Sequence, residues 1–293
     1  MSRAAAPAVS VCIPVFNGAP FIGAAIESLL RQSFSDFELI VVDNASTDGT
    51  VAVVESFRDP RLRLIRNATN IGAEGNWNLA VRECRGEWVK LLCADDLLYP
   101  DCLVTQVAAV SGVDAASVAM VSARRDVIDA RGEVLIRGRG ARWPGGDRGR
   151  LDFARAALRM GSNPIGEPAA VLFRRSAWIS AKGFDASLPY LIDVDCWYRL
   201  LGHGTLRPLP ATLCAFRVSS GSWSARLQRN QAAQTRAFLG RLAADHPGLL
   251  GPVALRMALW RASTTALLRQ VVFSHPRLIA WIAGRRSPST ART

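Results

Sequence analysis

Four short apolar runs in the N-terminal third, each leading through a turn into the next segment, constrain this chain more than any other feature. Val9–Val15, Phe37–Val42, Leu62–Ile65 and Trp88–Cys93 are rich in Val, Ile and Leu, the composition of strands covered on both faces. Phe21–Ser33 sets Phe21, Ile22, Ala25, Ile26, Leu29 and Leu30 at helical spacing, and Val51–Phe57 and Gly75–Cys84 read as two further helices. This β-α-β-α-β-α-β alternation predicts an α/β fold with a doubly wound, mostly parallel sheet. Ligands of such sheets sit beyond the carboxyl ends of the strands. The loops there carry Pro14-Val15-Phe16-Asn17, Asp43 with Asp48-Gly49, and Asp95-Asp96. The strand order should bring all three to one rim.

The second half is less regular. Pro100–Val110 reads as a helix, Ser117–Ser122 as a strand, and the polar, Gly-rich stretch from Arg137 to Asp147 as a mobile loop. Pro168–Phe173 reads as a strand, and Arg175–Lys182, Asp193–Leu201, Leu227–Ala244 and Leu250–Val272 as helices. No clean linker is visible. The expected organisation is a sheet domain over 1–224, with halves 1–110 and 111–224, and a basic helical extension over 225–293.

The net charge of +12 is unevenly placed. Residues 1–110 hold 9 Lys/Arg against 13 Asp/Glu, and from Arg226 onward the count is 11 against 1. A basic face can meet nucleic acid, an anionic membrane or an acidic substrate. No nucleic-acid motif accompanies it, so a nucleic-acid partner is not expected. Between Leu249 and Arg286, Trp260, Trp281 and many aliphatic residues alternate with Arg256, Arg261, Arg269, Arg277, Arg285 and Arg286. No uncharged apolar run reaches the ~18 residues of a membrane span. The tail suits either a helix lying in an anionic interface or one packed on the domain. The six cysteines show no C-x-x-C spacing, which fits reduced thiols. With no secretory signal at the N-terminus, a cytoplasmic protein is expected, peripheral on the inner membrane face if the tail binds lipid.

Three acidic positions could carry chemistry. Adjacent carboxylates at Asp95 and Asp96 can hold a hard divalent cation and, through it, a diphosphate; they could equally cap a following helix. Asp43 could accept from a base N–H or a ribose hydroxyl, or close an Asx turn. Asp193 could serve as a general base or as the N-cap of the helix holding Trp197. Asp195 points elsewhere on that helix.

Four segments in order, V-S-V-C-I-P-V-F-N-G, D-N-A-S-T-D-G-T, N-I-G-A-E-G-N and C-A-D-D-L-L-Y-P, resemble the GT-A fold, family 2 glycosyltransferases. The match is close over about the first 105 residues and weaker to about Ser224. The resemblance implies a nucleotide-diphospho-sugar donor, a saccharide or lipid-linked saccharide acceptor, and a divalent metal, Mg2+ or Mn2+. It implies donor binding by Pro14, Val15, Phe16, Asn17, Asp43, Asn76 and Asp95, with Asp43 on the base and Asp95 on the ribose or donor sugar. Asp96 matches the metal ligand. Leu191-Ile192-Asp193-Val194-Asp195-Cys196-Trp197 resembles the segment bearing the catalytic base, and Asp193 falls on that base. Gly166-Glu167-Pro168 and Gly183-Phe184-Asp185 resemble acceptor-side segments. Phe216-Arg217-Val218-Ser219 resembles a Y-R-x-H loop.

The chain departs from the pattern at Asn44, Cys93 and Ile192, where acids are frequent, and at Ser219, which stands for the His. The implied reaction is an inverting transfer in cell-surface polysaccharide or glycolipid synthesis, with Arg199 or an arginine of the Arg137–Arg150 loop near the diphosphate. A sugar-nucleotide pyrophosphorylase shares the fold type, but Asn17-Gly18-Ala19-Pro20 is not its basic, Gly-rich loop. A noncatalytic nucleotide-sugar-binding scaffold is the other alternative.

Overall fold

Alternation along the first strands sorts apolar side chains onto two faces, and each face acquires its own core. The computed structural model describes residues 6–140, 143, 145–219 and 223–274. The elements are β1 (Val9–Val15), α1 (Ala19–Leu30), β2 (Phe37–Asp43), α2 (Thr50–Glu55), β3 (Leu62–Arg66), α3 (Gly72–Arg82), β4 (Trp88–Leu91), β5 (Leu97–Leu98), α4 (Cys102–Ala108), β6 (Val118–Ile128), β7 (Val134–Arg139), α5 (Arg150–Met160), β8 (Val171–Arg174), α6 (Arg175–Ser180), α7 (Ile192–Leu200), β9 (Thr205–Arg217), α8 (Trp223–Arg226), α9 (Gln228–Asp245) and α10 (Pro252–Ser274).

The sheet runs β3-β2-β1-β4-β8-β6-β9-β5, with β7 paired to β6. The strands β3, β2, β1 and β4 are mutually parallel, as the crossovers require. The strand β8 then enters antiparallel between β4 and β6, and β6 is parallel to β9. On one face Val11, Ile13, Leu39 and Val41 pack with Ile22, Ile26 and Leu29 of α1 and Leu103 of α4. On the other, Cys12, Ile40, Val42, Val89 and Leu91 pack with Ala80 and Val81 of α3, Phe153 of α5 and Trp197 of α7. The result is an α/β sheet covered on both sides.

Three stretches differ from the sequence reading. The Arg137–Asp147 stretch was expected to be a loop, but its start belongs to β7, which forms a hairpin with β6. The turn is held by Asp129, whose Oδ1 accepts the N–H groups of Arg131 and Glu133 at 2.8 and 2.9 Å. Ala141, Arg142 and Pro144 lie outside the described residues. Thr205–Arg217, a stretch the sequence leaves unassigned, is a thirteen-residue strand, although Pro208 and Pro210 are unfavourable in a strand interior. They are accommodated where the β6–β9 register shifts between Ser122 and Arg124. Finally, β4 stops at Leu91, and α4 does not begin until Cys102. Asp95 and Asp96 therefore sit on a turn, closed by the Asp96 N–H on the Cys93 carbonyl at 3.0 Å, and cap no helix.

The C-terminal helices pack on the sheet domain. Phe238, Leu239 and Leu242 of α9 are buried in the core that holds Phe153 and Tyr198. Each such side chain contributes about 1.5–3 kcal/mol on burial. Ala258, Ala262 and Ala266 of α10 are also buried. Gly161 ends α5 at φ +61°, and a Cβ there would lie 3.0 Å from the Ala262 nitrogen. The missing side chain is what lets α10 approach. The tail residues Arg277, Leu278, Ile279, Trp281, Ile282, Arg285 and Arg286 lie outside the described residues.

Candidate active site

The carboxyl ends of β1, β2 and β4 open on a cavity of about 730 Å³. Its first wall is the loop after β1, where Pro14, Val15, Phe16 and Asn17 all line the space. Asn17 adopts a left-handed backbone at φ +53°, which Asn tolerates better than most residues. Its Oδ1 accepts the Thr47 N–H at 2.8 Å, and its own N–H reaches Ser46 Oγ at 2.8 Å. Asp48 accepts the Ala19 N–H at 3.1 Å, and Thr50 Oγ1 the Gly18 N–H at 2.8 Å. The loops after β1 and β2 are thus clasped together. Gly18 has no room for a side chain, since a Cβ would meet Val15 Cγ2 at 2.5 Å.

Asp43 closes β2 and is 2% exposed. Its Oδ2 accepts the Ser46 N–H at 3.1 Å, an Asx turn as the sequence suggests. Its Oδ1 is buried without a partner, and Asn44 rather than Asp43 lines the cavity. Asn44 is the hub of an amide network. It donates to Asn70 Oδ1 at 2.9 Å and accepts from Asn67 at 3.0 Å, while Asn67 also donates to Asn76 at 2.9 Å. Asn76 lines the cavity, but its amide nitrogen is engaged by the Val42 carbonyl at 3.0 Å.

Cys93, Ala94 and Asp95 line the floor, and Asp96 lies behind them, fully buried. The expected position of Asp96 at the rim is therefore corrected: the tight turn folds it inward. Its Oδ1 accepts the Arg217 N–H at 2.9 Å, while its Oδ2 is buried with no partner. Arg217 also holds the Asp95 carbonyl at 2.8 Å, and its guanidinium carbon stands 5.0 Å over the Phe21 ring. Burial pushes Asp95 above the usual carboxylate range, and burial with the neighbouring Asp95 charge pushes Asp96 further. Among the described residues, ligand atoms of Cys93, Asp95 and Asp96 lie within 4.8 Å of one another. A buried, unpartnered carboxylate oxygen beside a second carboxylate fits a divalent cation.

Asp193 enters from the opposite wall. It lies in the first turn of α7, whose N-cap is Leu191, so its oxygen does not cap the helix, the other role open to it from sequence. Asp193 lines the cavity. Burial, and then the charge of Glu167, push its pKa up to about 7 against the pull of the Val194 N–H. Glu167 lines the same wall and pairs with Arg125, which donates to its Oε1 at 2.9 Å. Burial raises the Glu167 pKa, but Arg125 outweighs it and leaves this carboxyl below its ordinary range. Two adjacent carboxylates are thus driven apart, one held ionised and one poised near neutrality, as acid–base sites require.

Other expected contributors lie elsewhere. Asp195 is buried between Arg199, at 2.7 Å, and Arg241, and it ties α7 to α9. Arg199 is thereby occupied away from the cavity; Arg139 of β7 lines it instead. Gly183-Phe184-Asp185 does not reach the lining: Asn78 clamps both backbone groups of Phe184, at 2.8 and 2.9 Å. His203 is exposed beyond α7. Ser219 lines the cavity, while Ser220, Gly221 and Ser222 are outside the described residues. Trp77, Tyr190, Trp223 and Arg226 also line it. No local motif marks them, because three distant segments converge there.

With this geometry in hand, the sequence profile of glycosyl transferase family 2 matches residues 10–178. The chain is a family 2 glycosyltransferase. The enzyme is 30% identical over 288 residues to an uncharacterized protein of Mycobacterium tuberculosis, spanning 93% of this chain and 87% of that one. It is 36% identical over 195 residues to a PGL/p-HBAD biosynthesis glycosyltransferase of Mycobacterium bovis, covering 65% and 68% of the two chains. A 29% identical match to the chondroitin synthase of Escherichia coli covers 73% of this glycosyltransferase but only 29% of that longer protein. Among solved structures, a mannosyltransferase of Pyrobaculum calidifontis in complex with GDP-Man and Mn2+ is similar at TM-score 0.59 and 22% identity, over 97% of this chain and 82% of that chain. S. aureus TarS in complex with UDP-GlcNAc is similar at TM-score 0.59 and 18% identity, over 87% and 71%. These likenesses establish the GT-A-type α/β fold. No helix among the described residues is long and apolar enough to cross a membrane.

Proposed function

We propose that this glycosyltransferase moves a sugar from a nucleotide-diphospho-sugar to an acceptor hydroxyl with inversion at the anomeric carbon. The observation that carries the reading is one cavity shared by the Pro14–Asn17 loop, Asp95 and Asp193. The base and ribose lie against Phe16, Asn17 and Asn44, with Asp43 held behind Asn44 as part of the loop that shapes this end of the cavity. Asp95 and Asp96 are the residues that would hold a divalent cation, Mg2+ or Mn2+, and it would supply Lewis-acid neutralisation of the diphosphate. Asp193 takes the proton of the acceptor hydroxyl, whose oxygen forms the new bond to the anomeric carbon as the bond to the diphosphate breaks. Arg139 lines the cavity near Glu167 and adds positive charge to it.

The acceptor is a saccharide or lipid-linked saccharide of polysaccharide or glycolipid synthesis. Trp77 and Trp223, with centroids 5.8 Å apart, offer it an aromatic wall. The enzyme works at the cytoplasmic membrane face. Val253, Met257 and Trp260 of α10 are 71%, 50% and 68% exposed and share one helix face, with Arg256 and Arg261 beside it. Such a face suits an anionic interface. The relatives in glycolipid and polysaccharide synthesis support the acceptor class.

The test is transfer from UDP-, GDP- and dTDP-sugars with Mn2+ to saccharide and lipid-linked acceptors, with the product's anomeric configuration read by NMR. Inverted product and released nucleoside diphosphate support the proposal. Tight donor binding with neither transfer nor hydrolysis would point instead to a scaffold.

A further inference from the structure

The cavity floor carries a thiol beside the Asp95 and Asp96 carboxylates. Cys93 is the partly exposed member of the six cysteines; Cys12, Cys84, Cys102, Cys196 and Cys214 are buried. Its Sγ and one oxygen each from Asp95 and Asp96 fall within 4.8 Å of one another, a spacing that small side-chain rotations bring within the ~4.0–4.6 Å that metal–ligand bonds of ~2.0–2.3 Å allow between two ligands of one ion. Asp96 is fully buried, and its Oδ2 has no partner. A carboxylate oxygen placed this way is satisfied by a proton or by a cation, and a cation bound there stands beside sulfur.

We infer that Cys93 is a ligand of this cation site and makes it prefer borderline, thiophilic divalent ions over Mg2+. Mg2+ demands six hard oxygen ligands in near-ideal octahedral geometry. A set of two carboxylates and a thiolate favours Zn2+ and Co2+ over Mn2+, in line with ligand softness and the order of stabilities for divalent ions. On binding, the thiol gives up its proton to solvent as the metal–sulfur bond forms. The inference rests on the proposed carboxylate cation site.

Titration of the full chain with Co2+ alone, and again with GDP or UDP present, tests it. Expected is a near-ultraviolet sulfur-to-cobalt charge-transfer absorption that Cys93→Ser abolishes. Zn2+ and Co2+ should bind the native protein at least ~10-fold more tightly than Cys93→Ser, with Mg2+ affinity shifted far less. A second readout needs no variant: Zn2+ should protect Cys93 from iodoacetamide, mapped by peptide mass spectrometry, while Mg2+ at saturation should protect it far less. Co2+ binding without the absorption, equal absorption in Cys93→Ser, or equal protection by Zn2+ and Mg2+ would overturn the thiolate ligand and leave the carboxylate site standing. Failure of Mg2+, Mn2+ and Co2+ alike to bind, with or without nucleotide, would overturn both.

Discussion

When the pH is lowered from neutral, the charge on Asp193 should govern how fast sugar is transferred. The carboxylate must be ionised to accept the acceptor's proton, and its pKa is pushed up to about 7 by burial and by Glu167. About nine-tenths of the enzyme is then competent at about pH 8, about half at about pH 7 and about one-tenth at about pH 6. At fixed saturating metal, kcat/KM should fall about five-fold from about pH 7 to about pH 6, then about ten-fold for each further pH unit. Glu167→Gln removes the neighbouring negative charge but keeps an oxygen for Arg125, whose own charge is then less compensated. Both changes favour ionised Asp193, so the acid limb should move to lower pH. The assay is nucleoside diphosphate release across a constant-ionic-strength buffer series, with Asp193→Asn as the inactive reference. A native acid limb in the ordinary carboxylate range, or a limb that stays or rises in Glu167→Gln, would refute the assignment.

The same raised pKa fixes a stability trend. Folded Asp193 holds its proton to about pH 7, whereas the unfolded chain releases it near the ordinary value of 3.8. The folded state therefore binds more protons between these limits, and its stability falls as pH rises through them. Asp193→Asn should remove that penalty, melting higher than native protein at about pH 8 and little differently at about pH 4.

Three further outcomes follow from the geometry. Asp96→Asn should lower metal-dependent turnover on the order of 10²-fold or more, while its melting temperature holds or rises because an unpartnered buried carboxylate becomes neutral; near-normal turnover would sink the metal role. Asp195→Ala should cost about 2–3 kcal/mol in denaturant unfolding, below the usual buried-pair range because Arg199 and Arg241 both reach water, and Asp195→Asn should transfer sugar far better than Asp193→Asn. Val253, Met257 and Trp260 changed together to Asp should abolish flotation on anionic vesicles at low salt without unfolding the protein; unchanged flotation, or none in the native protein, would remove α10 from the membrane.

The first four strands and three helices were legible because their apolar spacing shows in the chain, most plainly in β1, β2 and α1, which bury it, and still in β3, whose residues are only partly buried. That alternation determined a parallel sheet with acids at its carboxyl rim, and four ordered motifs carried the family. Sequence could not read β7 or β9. Their strand character depends on pairing with β6, which overrides Gly138, Pro208 and Pro210. Nor could it assign the acids. Asp193 and Asp195 are two positions apart, yet α7 turns one to the cavity and the other to Arg199 and Arg241. Asp95 and Asp96 are adjacent, yet the turn after β4 sends one to the floor and the other into the interior, onto the Arg217 N–H. Glu167 and Arg139 join Asp193 only because β6, β7 and β8 converge. Local periodicity is written in the chain itself, while the direction and charge of a carboxylate are set by groups far away in sequence.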